Sequence, residues 1–206
     1  MKSKAYKKGD AYIIETTPGN IEIKVAGGNL RAKNIYGING TFYDTQTAPS
    51  NSPNSCVFIA MNNGKAISGN ASINGWNAPP RGTIYFTKDN KLGNKKVKSI
   101  NELPKNIVWA LGGYTVKPYI DVNEKIPGSI NYATSHSYIG YDNKGKVYLI
   151  ARTDKHRMHQ IVPLLNELGI THCVMLDGGG STQLRHKSIS YHQSRAVNTV
   201  VALKEL

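Results

Sequence analysis

Residues 173–183 read Cys173-Val174-Met175-Leu176-Asp177-Gly178-Gly179-Gly180-Ser181-Thr182-Gln183. Four apolar residues that run into glycines predict a buried strand, so that Asp177 stands where the strand leaves the core. Three successive glycines allow positive φ and a close approach of the backbone to a ligand, and their amide groups can converge on an anion. A tight turn with Asp177 as turn former is the alternative, but three glycines cost more chain entropy than a turn requires. The stretch therefore predicts one wall of an active site.

Strand signals dominate the rest of the chain and predict an α+β fold in a single domain, residues 1–206, with mixed or antiparallel sheets. Two long irregular stretches, 44–54 and 70–81, are rich in Asn, Ser, Pro and Gly, and loops of this length are often functional. Hairpins are predicted around three turns: 18–20, 62–64 and 142–145.

One main helix is predicted over about residues 156–168, directly before the strand that ends at Asp177. Apolar residues recur there at helical spacing, and Gly169 occupies the position of a glycine that ends a helix. Pro163 lies inside this pattern, so the helix either bends at Pro163 or begins later.

Composition limits the classes of function. The net charge of +13 and the pI near 9.7 favour anionic partners such as nucleic acid, anionic polymers or a phosphorylated substrate, yet no nucleic-acid-binding motif is present. No apolar run approaches a membrane span, and no signal-peptide core follows the basic N-terminus, which predicts a cytoplasmic protein by default. Cys56 and Cys173 form neither a disulfide framework nor a thiolate zinc site. Nothing in the composition indicates an oligomeric state.

Further polar clusters lie beside glycine turns or at strand ends. A lone histidine before a strand is more often a surface or capping residue than a catalyst, whereas an arginine can form a fork onto a phosphate or carboxylate. No P-loop, His-Glu-x-x-His, EF-hand or Gly-x-Ser-x-Gly pattern is present, so neither a metal-ligand set nor a Ser-His-Asp hydrolase is predicted. The clusters contain the Asn39-Gly40 turn with Asp44, the Gly112-Gly113 pair, His136 before an apolar strand, and Arg195 at the start of the last strand.

The order of these clusters along the chain resembles that of the phosphodiester glycosidase family. The resemblance runs from about Gly37 to Leu203, and its most specific part is Leu176-Asp177-Gly178-Gly179-Gly180-Ser181. It implies an α+β fold with mixed sheets and hydrolysis of the bond between a sugar C1 and a phosphodiester oxygen. The implied substrate is an anionic glycoconjugate or cell-envelope polymer. Where the family commonly has an Arg-Thr pair, this chain has His136-Ser137, so the phosphate would be held by His136, Arg152 or a lysine.

The implied reaction assigns roles to the candidate residues. A departing phosphate needs positive charge and hydrogen-bond donors more than general-acid help, whereas the oxocarbenium-like sugar requires a nearby carboxylate. Asp177 is the first candidate for this carboxylate, Asp44 the second, and His136 is a further catalytic candidate. No cofactor is required by the sequence, although a divalent cation between the two aspartates and the phosphate is compatible with it. The candidates for substrate binding are Asn39, Gly40, Gly112, Gly113, Gly178, Gly179, Gly180, Ser181, Thr182 and Arg195.

Two other functions stay open at this point. A non-catalytic module could bind a nucleotide or a sugar phosphate in the same pocket without cleaving it. A general nucleic-acid binder would show steep salt dependence and indifference to changes of Asp177. The nucleic-acid binder is the least favoured of the three functions, because the lysines form no stripe along the chain.

Overall fold

The computed structural model describes residues 2–44, 55–128 and 130–206. One short α-helix, α1 (Val162–Glu167), lies in this part of the chain, together with turns of 3-10 helix at Pro18–Asn20, Asn70–Ser72, Ile100–Glu102, Val122–Glu124, Met158–Ile161 and Gly179–Ser181. The described strands are β1 (Ser3–Lys8), β2 (Ala11–Thr16), β3 (Ile21–Gly28), β4 (Gly37–Asn39), β5 (Ala60–Asn62), β6 (Lys65–Ala66), β7 (Arg81–Thr87), β8 (Leu92–Val97), β9 (Ile107–Lys117), β10 (Thr134–Asp142), β11 (Val147–His156), β12 (Ile170–Met175), β13 (Leu184–Arg185), β14 (Ser190–Tyr191) and β15 (Val197–Leu203).

The strands form two sheets. The large sheet has ten strands in the order β1-β2-β11-β10-β12-β9-β5-β6, with β7 paired to β9 and β8 paired to β7, and the small sheet has five in the order β14-β13-β4-β15-β3. Every described pairing is antiparallel, which confirms the antiparallel form of the prediction; the mixed sheets that the resemblance implied are not observed in this part of the chain. With 47% strand and 13% helix, the fold is mainly β and agrees with the α+β prediction only loosely.

The strand β12 explains why residues 173–176 are all apolar. Val174 and Leu176 belong to the core between the large and the small sheet. Cys173 and Met175 point to the opposite face, where they pack with the helical segment 158–165. A strand that is covered on both faces reads as a continuous apolar run rather than as an alternating one. The strand that was predicted from this run is therefore confirmed, and it lies in the middle of three layers.

The helical segment is shorter than the prediction of 156–168. β11 continues to His156, a 3-10 turn occupies Met158–Ile161, and α1 begins only at Val162. Pro163 falls in the first turn of α1, where its missing N–H has no partner to lose. Of the two predicted effects of Pro163, the later start is the correct one.

Two of the three predicted hairpins are present and one is wrong. In the hairpin of β5 and β6, Asn62 pairs with Lys65, and Asn63 and Gly64 turn with φ of 49° and 75°, as in a type I′ turn. The hairpin around 142–145 joins β10 to β11.

The predicted hairpin around 18–20 is instead a crossing between the two sheets. β2 pairs with β1 and β11, whereas β3 pairs with β15 in the small sheet. The buried side chain of Asn20 anchors the crossing by donating to Thr16 Oγ1 at 3.0 Å and to the Glu205 carbonyl at 2.8 Å. A hairpin and a crossing between sheets both have turn residues between two apolar segments, so the sequence pattern does not distinguish a hairpin from a crossing.

Of the two stretches that were predicted to be functional loops, the structure describes 70–81 in full but only Asp44 of 44–54. Residues 45–54 lie outside the described part of the chain. In the stretch 70–81, the buried Asn74 links neighbouring strands: its Oδ1 accepts from Ile59 N at 3.0 Å, and its Nδ2 donates to Thr83 Oγ1 at 2.8 Å and to the Val97 carbonyl at 3.0 Å. No helix in the described part of the chain is long and apolar enough to cross a membrane.

Candidate active site

Asp177 lies where the chain passes from the large sheet to the small one. Leu176 N still donates to the Ser137 carbonyl of β10 at 2.8 Å, and Asp177 N donates to the Gly40 carbonyl, just after β4, at 3.3 Å. The carboxylate therefore stands at the rim of the large sheet, next to the end of a strand of the small sheet. This is the strand-end position that the sequence predicted.

The side chain of Asn39 connects the two sheets beneath Asp177. Its Nδ2 donates to the Asp177 carbonyl at 2.8 Å. Its Oδ1 accepts from Ser137 Oγ at 2.6 Å and from Gln183 N at 3.0 Å. Asn39 is only 1% exposed, and these bonds use its amide within the protein. The structure thus places Asn39 as a support of the Asp177 loop rather than in the wall of a pocket.

The glycine loop allows two side chains to approach its backbone closely. A Cβ atom on Gly178 would lie 2.7 Å from His136 Nδ1, and one on Gly180 would lie 3.1 Å from the Cζ of Arg195. Gly179 has φ of +59°, a conformation that favours glycine. The three glycines therefore bring an imidazole and a guanidinium to the two sides of the loop that follows Asp177.

The environment of Asp177 disfavours its charged form. Burial raises the pKa of the Asp177 carboxyl to about 6, against the opposing effects of the Ser181 hydroxyl, the Gly178 N–H and the Arg195 charge. Gly178 N donates to Asp177 Oδ1 at 3.0 Å. Although protein surrounds this carboxyl almost completely, part of its surface faces the pocket described below. A carboxyl with a pKa near neutrality is suited to acid–base chemistry.

His136 is a neutral imidazole next to Asp177. Burial, followed by the neighbouring His156, lowers the pKa of His136 to about 4. Its Nε2 lies 3.3 Å from the Tyr132 carbonyl, and because a carbonyl only accepts, Nε2 carries the proton. The lone pair of Nδ1 is then on the side of Gly178. His136 therefore lines the pocket as a largely buried imidazole and carries no positive charge at neutral pH.

A pocket of about 240 Å³ brings the predicted residues together with others. On one side of it lie Asp177 and the glycine loop, and on the others lie apolar and aromatic side chains and Arg195. Larger cavities of about 340 and 480 Å³ open elsewhere on the surface; of the residues singled out from the sequence, Arg152 lines the second of them. The pocket is lined by Phe42, Tyr43, Ile130, Tyr132, Thr134, His136, Asp177, Gly178, Gly179 and Arg195.

The other predicted site residues do not line this pocket. Gly180 and Ser181 belong to the loop itself, and Ser181 Oγ is 3.5 Å from Tyr43 Oη. Thr182 is fully buried, and Gly40 has no room for a Cβ, which would lie 2.2 Å from Thr199 Oγ1. These residues shape the loop and its support.

The Gly112-Gly113 pair and Asp44 stand further from the chemistry. Both glycines lie inside β9, where a Cβ would come within 2.1 Å of Asn74 Oδ1 or 2.4 Å of the Met175 carbonyl. They are therefore required for close packing of the sheet. Asp44 follows Tyr43 but does not line the pocket, and the residues after Asp44 are outside the described part of the chain.

Several pocket residues were missed by the sequence reading. Tyr43, which donates to the Ala196 carbonyl at 3.0 Å, lies inside the Gly37–Asp44 cluster and could have been found there. Ile130, Tyr132 and Thr134 come from the connection between β9 and β10 and the first residue of β10, where no local pattern marks them. No group of three His, Cys, Asp or Glu side chains within the described ranges could hold a metal ion, and the predictions about cofactors stay predictions.

Comparison with known proteins identifies the family. The sequence profile described as phosphodiester glycosidase matches residues 32–204. The chain belongs to the phosphodiester glycosidase family. No curated protein matches the chain.

Solved structures with the same fold include a member of this family. The catalytic domain of zebrafish N-acetylglucosamine-1-phosphodiester alpha-N-acetylglucosaminidase, auto-inhibited by its pro-peptide, aligns with a TM-score of 0.69 and 15% identity over 99% of this chain and 82% of that one. A hypothetical protein from Synechocystis aligns with a TM-score of 0.56 and 12% identity over 97% of this chain and 61% of that one. A putative exported protein from Burkholderia pseudomallei aligns with a TM-score of 0.58 and 10% identity over 94% of this chain and 73% of that one. At these identities the likeness shows the fold alone.

Arg195 is the positively charged residue that lines the pocket of this chain together with Asp177. Because His136 stands where the family commonly has an arginine, Arg152 was one of the candidates for holding the phosphate. Arg152, however, is held by both carboxylate oxygens of Asp154, at 2.8 and 2.9 Å, and by the Gln160 carbonyl. It lines a different cavity from the one that contains Asp177. Arg195 is exposed and lines the same pocket as Asp177.

Proposed function

We propose that the chain hydrolyses glycosyl phosphodiesters and releases a sugar and a phosphomonoester. The observation that carries the proposal is the placement of one carboxyl with a raised pKa, Asp177, and one guanidinium that forms no ion pair within the described ranges, Arg195, in the same small pocket. Hydrolases of the phosphodiester glycosidase family act on a substrate with these two parts, a sugar and a phosphate. The carboxyl suits the sugar carbon that becomes electron-poor, and the guanidinium suits the departing phosphate.

The pocket is divided into an apolar and a cationic side. Phe42, Ile130 and Tyr132 supply apolar surface, and Arg195 supplies the positive charge. The apolar face of a sugar ring fits the first side, with its phosphate directed to Arg195. Asp177 then faces the bond between C1 and the phosphate oxygen.

Asp177 would act as an ionised carboxylate. It either attacks C1 directly or takes a proton from the attacking water, and His136, which lines the same pocket as a neutral imidazole, would accept a hydrogen bond from a substrate hydroxyl or from that water. In both routes the C1–O bond breaks and its electrons leave with the phosphate, so the leaving group requires charge stabilisation rather than a strong acid. The configuration of the released sugar distinguishes the routes, because direct attack retains it and attack by water inverts it.

The test is turnover of a panel of synthetic glycosyl phosphate methyl esters. Products would be followed by phosphorus NMR, and the anomer released would be read from proton spectra. We expect the wild-type chain to release methyl phosphate from at least one ester and Asp177→Asn to be slower by about 10²- to 10⁴-fold. Asp10→Asn removes an exposed carboxylate from the turn between β1 and β2 and should retain full activity.

Three outcomes would contradict the proposal. Full activity of a folded Asp177→Asn variant removes the role of this carboxyl. Tight binding of an ester that is returned intact indicates the binding module instead. Binding of nucleic acid with steep salt dependence and indifference to Asp177→Asn indicates the nucleic-acid binder.

A further inference from the structure

Acidic residues are missing from two long segments of the sequence, which leaves the basic residues of these segments in excess. No aspartate or glutamate occurs between Glu22 and Asp44 or between Asp177 and Glu205. These two acid-free segments contain the whole of the small sheet except for the first two residues of β3. Lys24 pairs with Glu22 and Lys204 donates to the Gly19 carbonyl. The two segments carry five further lysines and arginines: Arg31, Lys33, Arg185, Lys187 and Arg195.

A single buried side chain ties this basic surface to the pocket. Gln183 Oε1 accepts from Leu30 N at 3.0 Å, and Gln183 Nε2 donates to the Arg195 carbonyl at 2.7 Å. The turn that carries Arg31 is therefore held next to the segment that carries Arg195. Arg185 joins them, because its Nη1 donates to the Leu30 carbonyl at 3.5 Å and its guanidinium lies 4.5 Å from the centre of the Tyr36 ring. Arg31, Arg185 and Arg195 thus lie on segments that are bonded to one another, and these three side chains are here called the arginine surface.

The arginine surface acts on one carboxyl without forming an ion pair with it: the charge of Arg195 opposes the rise in the pKa of Asp177. No ion pair within the described ranges involves Arg31, Arg185 or Arg195. His192 reports the resulting field: burial, then the charges of Arg31 and Arg185, lower its pKa. Elsewhere, lysines such as Lys146 and Lys91 have their own acidic partners. Unpaired cations that are held close together create a potential that attracts an anion of more than one charge.

We propose that the arginine surface binds the leaving-group side of a polyanionic substrate, a carbohydrate or polyol polymer whose units are joined by phosphodiesters. The proposal rests on the proposed function, in which the sugar occupies the apolar side of the pocket and its phosphate meets Arg195. The next phosphates of such a polymer then extend over Arg185 and Arg31. The substrate class thereby becomes a polymer with repeated phosphates rather than a sugar phosphate with a small neutral aglycone.

The same surface is less suited to nucleic acid. Single strands are held by a basic groove together with aromatic rings on which the bases stack. One face of the Tyr36 ring is already covered by the guanidinium of Arg185. On this side of the arginine surface the charges are offered to phosphates, and that face of the ring is not free for a base.

The test compares two double variants of equal charge. Arg31→Gln/Arg185→Gln removes the two cations of the arginine surface that do not line the pocket, and Lys98→Gln/Lys105→Gln removes two exposed lysines from the connection between β8 and β9. The probes are a fluorescent oligo(glycerol phosphate) and an oligodeoxythymidylate of matched charge, measured by fluorescence anisotropy at about 50 and about 200 mM salt. Hydrolysis is measured in parallel on one sugar phosphate, esterified either with methanol or with oligo(glycerol phosphate).

We expect Arg31→Gln/Arg185→Gln to weaken binding of oligo(glycerol phosphate), and to raise the KM of the polymeric ester, by about tenfold, the sum of two modest charge contacts. The methyl ester and the Lys98→Gln/Lys105→Gln variant should be unaffected. Equal effects of the two double variants would overturn the proposal, as would equally tight binding of oligodeoxythymidylate. Absence of turnover in the wild type would refute the proposed function alone, because the anisotropy measurement needs no turnover.

Discussion

The raised pKa of Asp177 predicts that removing its charge stabilises the protein at neutral pH. A carboxyl whose pKa is higher in the folded state than in the unfolded chain opposes folding when it is ionised. The destabilisation of the folded state by ionised Asp177 is absent below pH 3.8, grows as the pH rises, and is complete above about pH 6, since burial raises the pKa of Asp177 from 3.8 to about 6. In Asp177→Asn the side chain is neutral at every pH, so this cost disappears.

The size of the effect follows from the same values. At about 1.4 kcal/mol for each pH unit, a rise from 3.8 to about 6 corresponds to about 3 kcal/mol. Because part of the carboxyl surface faces the pocket, solvent reduces this figure, and we expect a gain of about 1–3 kcal/mol in the free energy of unfolding at pH 7.5. The hydrogen bond from Gly178 N to Asp177 Oδ1 can be kept by the amide oxygen of an asparagine.

Urea denaturation of the wild type and of Asp177→Asn at pH 4 and at pH 7.5 measures the difference. The variant should be more stable than the wild type at pH 7.5, and the two should converge at pH 4. Asp89→Asn is the matched control: the hydrogen bond from Lys91 lowers the pKa of this exposed carboxyl, so its removal should not stabilise the protein at pH 7.5. If Asp177→Asn has the same free energy of unfolding as the wild type at both pH values, the carboxyl is not disfavoured by its surroundings, and the reasoning fails.

Three further predictions concern the same loop. The kcat/KM of a glycosyl phosphate methyl ester should rise with pH through about 6, because Asp177 acts as an ionised carboxylate; a profile that falls through this range would assign Asp177 the role of an acid. Gly178→Ala should lower kcat by at least about tenfold, because its Cβ would lie 2.7 Å from His136 Nδ1, whereas Gly69→Ala, which has no atom within 4 Å of its Cβ, should leave kcat unchanged. Asn39→Ala should cost about 2–4 kcal/mol of stability in urea denaturation, since the Asp177 carbonyl and Ser137 Oγ lose a buried partner; a loss below about 0.5 kcal/mol would contradict its role as the support of the loop.

The sequence predicted the parts of the site that follow from local pattern. A run of apolar residues before Asp177 required a strand, and the strand end placed the carboxylate at a rim, as observed. The Gly112-Gly113 pair shows the limit of this reasoning. An apolar run before glycines has the same appearance there, but β9 continues to Lys117, and the glycines make room for Asn74 and for the Met175 carbonyl. Only tertiary contacts separate a glycine that turns the chain from one that is packed against a neighbour.

The walls of the pocket could not be predicted for a related reason. Ile130 and Tyr132 lie in a connection without periodicity, and their role depends on where β9 and β10 lie in the large sheet. The same holds for the turn at 18–20, whose residues fit a hairpin or a crossing equally well until the partners of β2 and β3 are known. Pairing between distant strands is set by the packing of whole faces, and no local window of sequence contains that information.

The position of the loop between the two sheets explains how residues so far apart in sequence meet in one pocket. Asn39 ends a strand of the small sheet, and Asp177 follows a strand of the large one. The amide of Asn39 binds the Asp177 carbonyl, Ser137 of the large sheet and Gln183 of the chain that returns to the small sheet. Gln183 in turn holds Arg195. The distance between the carboxylate and the guanidinium therefore depends on the packing of the sheets through two amide side chains, and replacing either amide should alter turnover more than it alters the binding of phosphate.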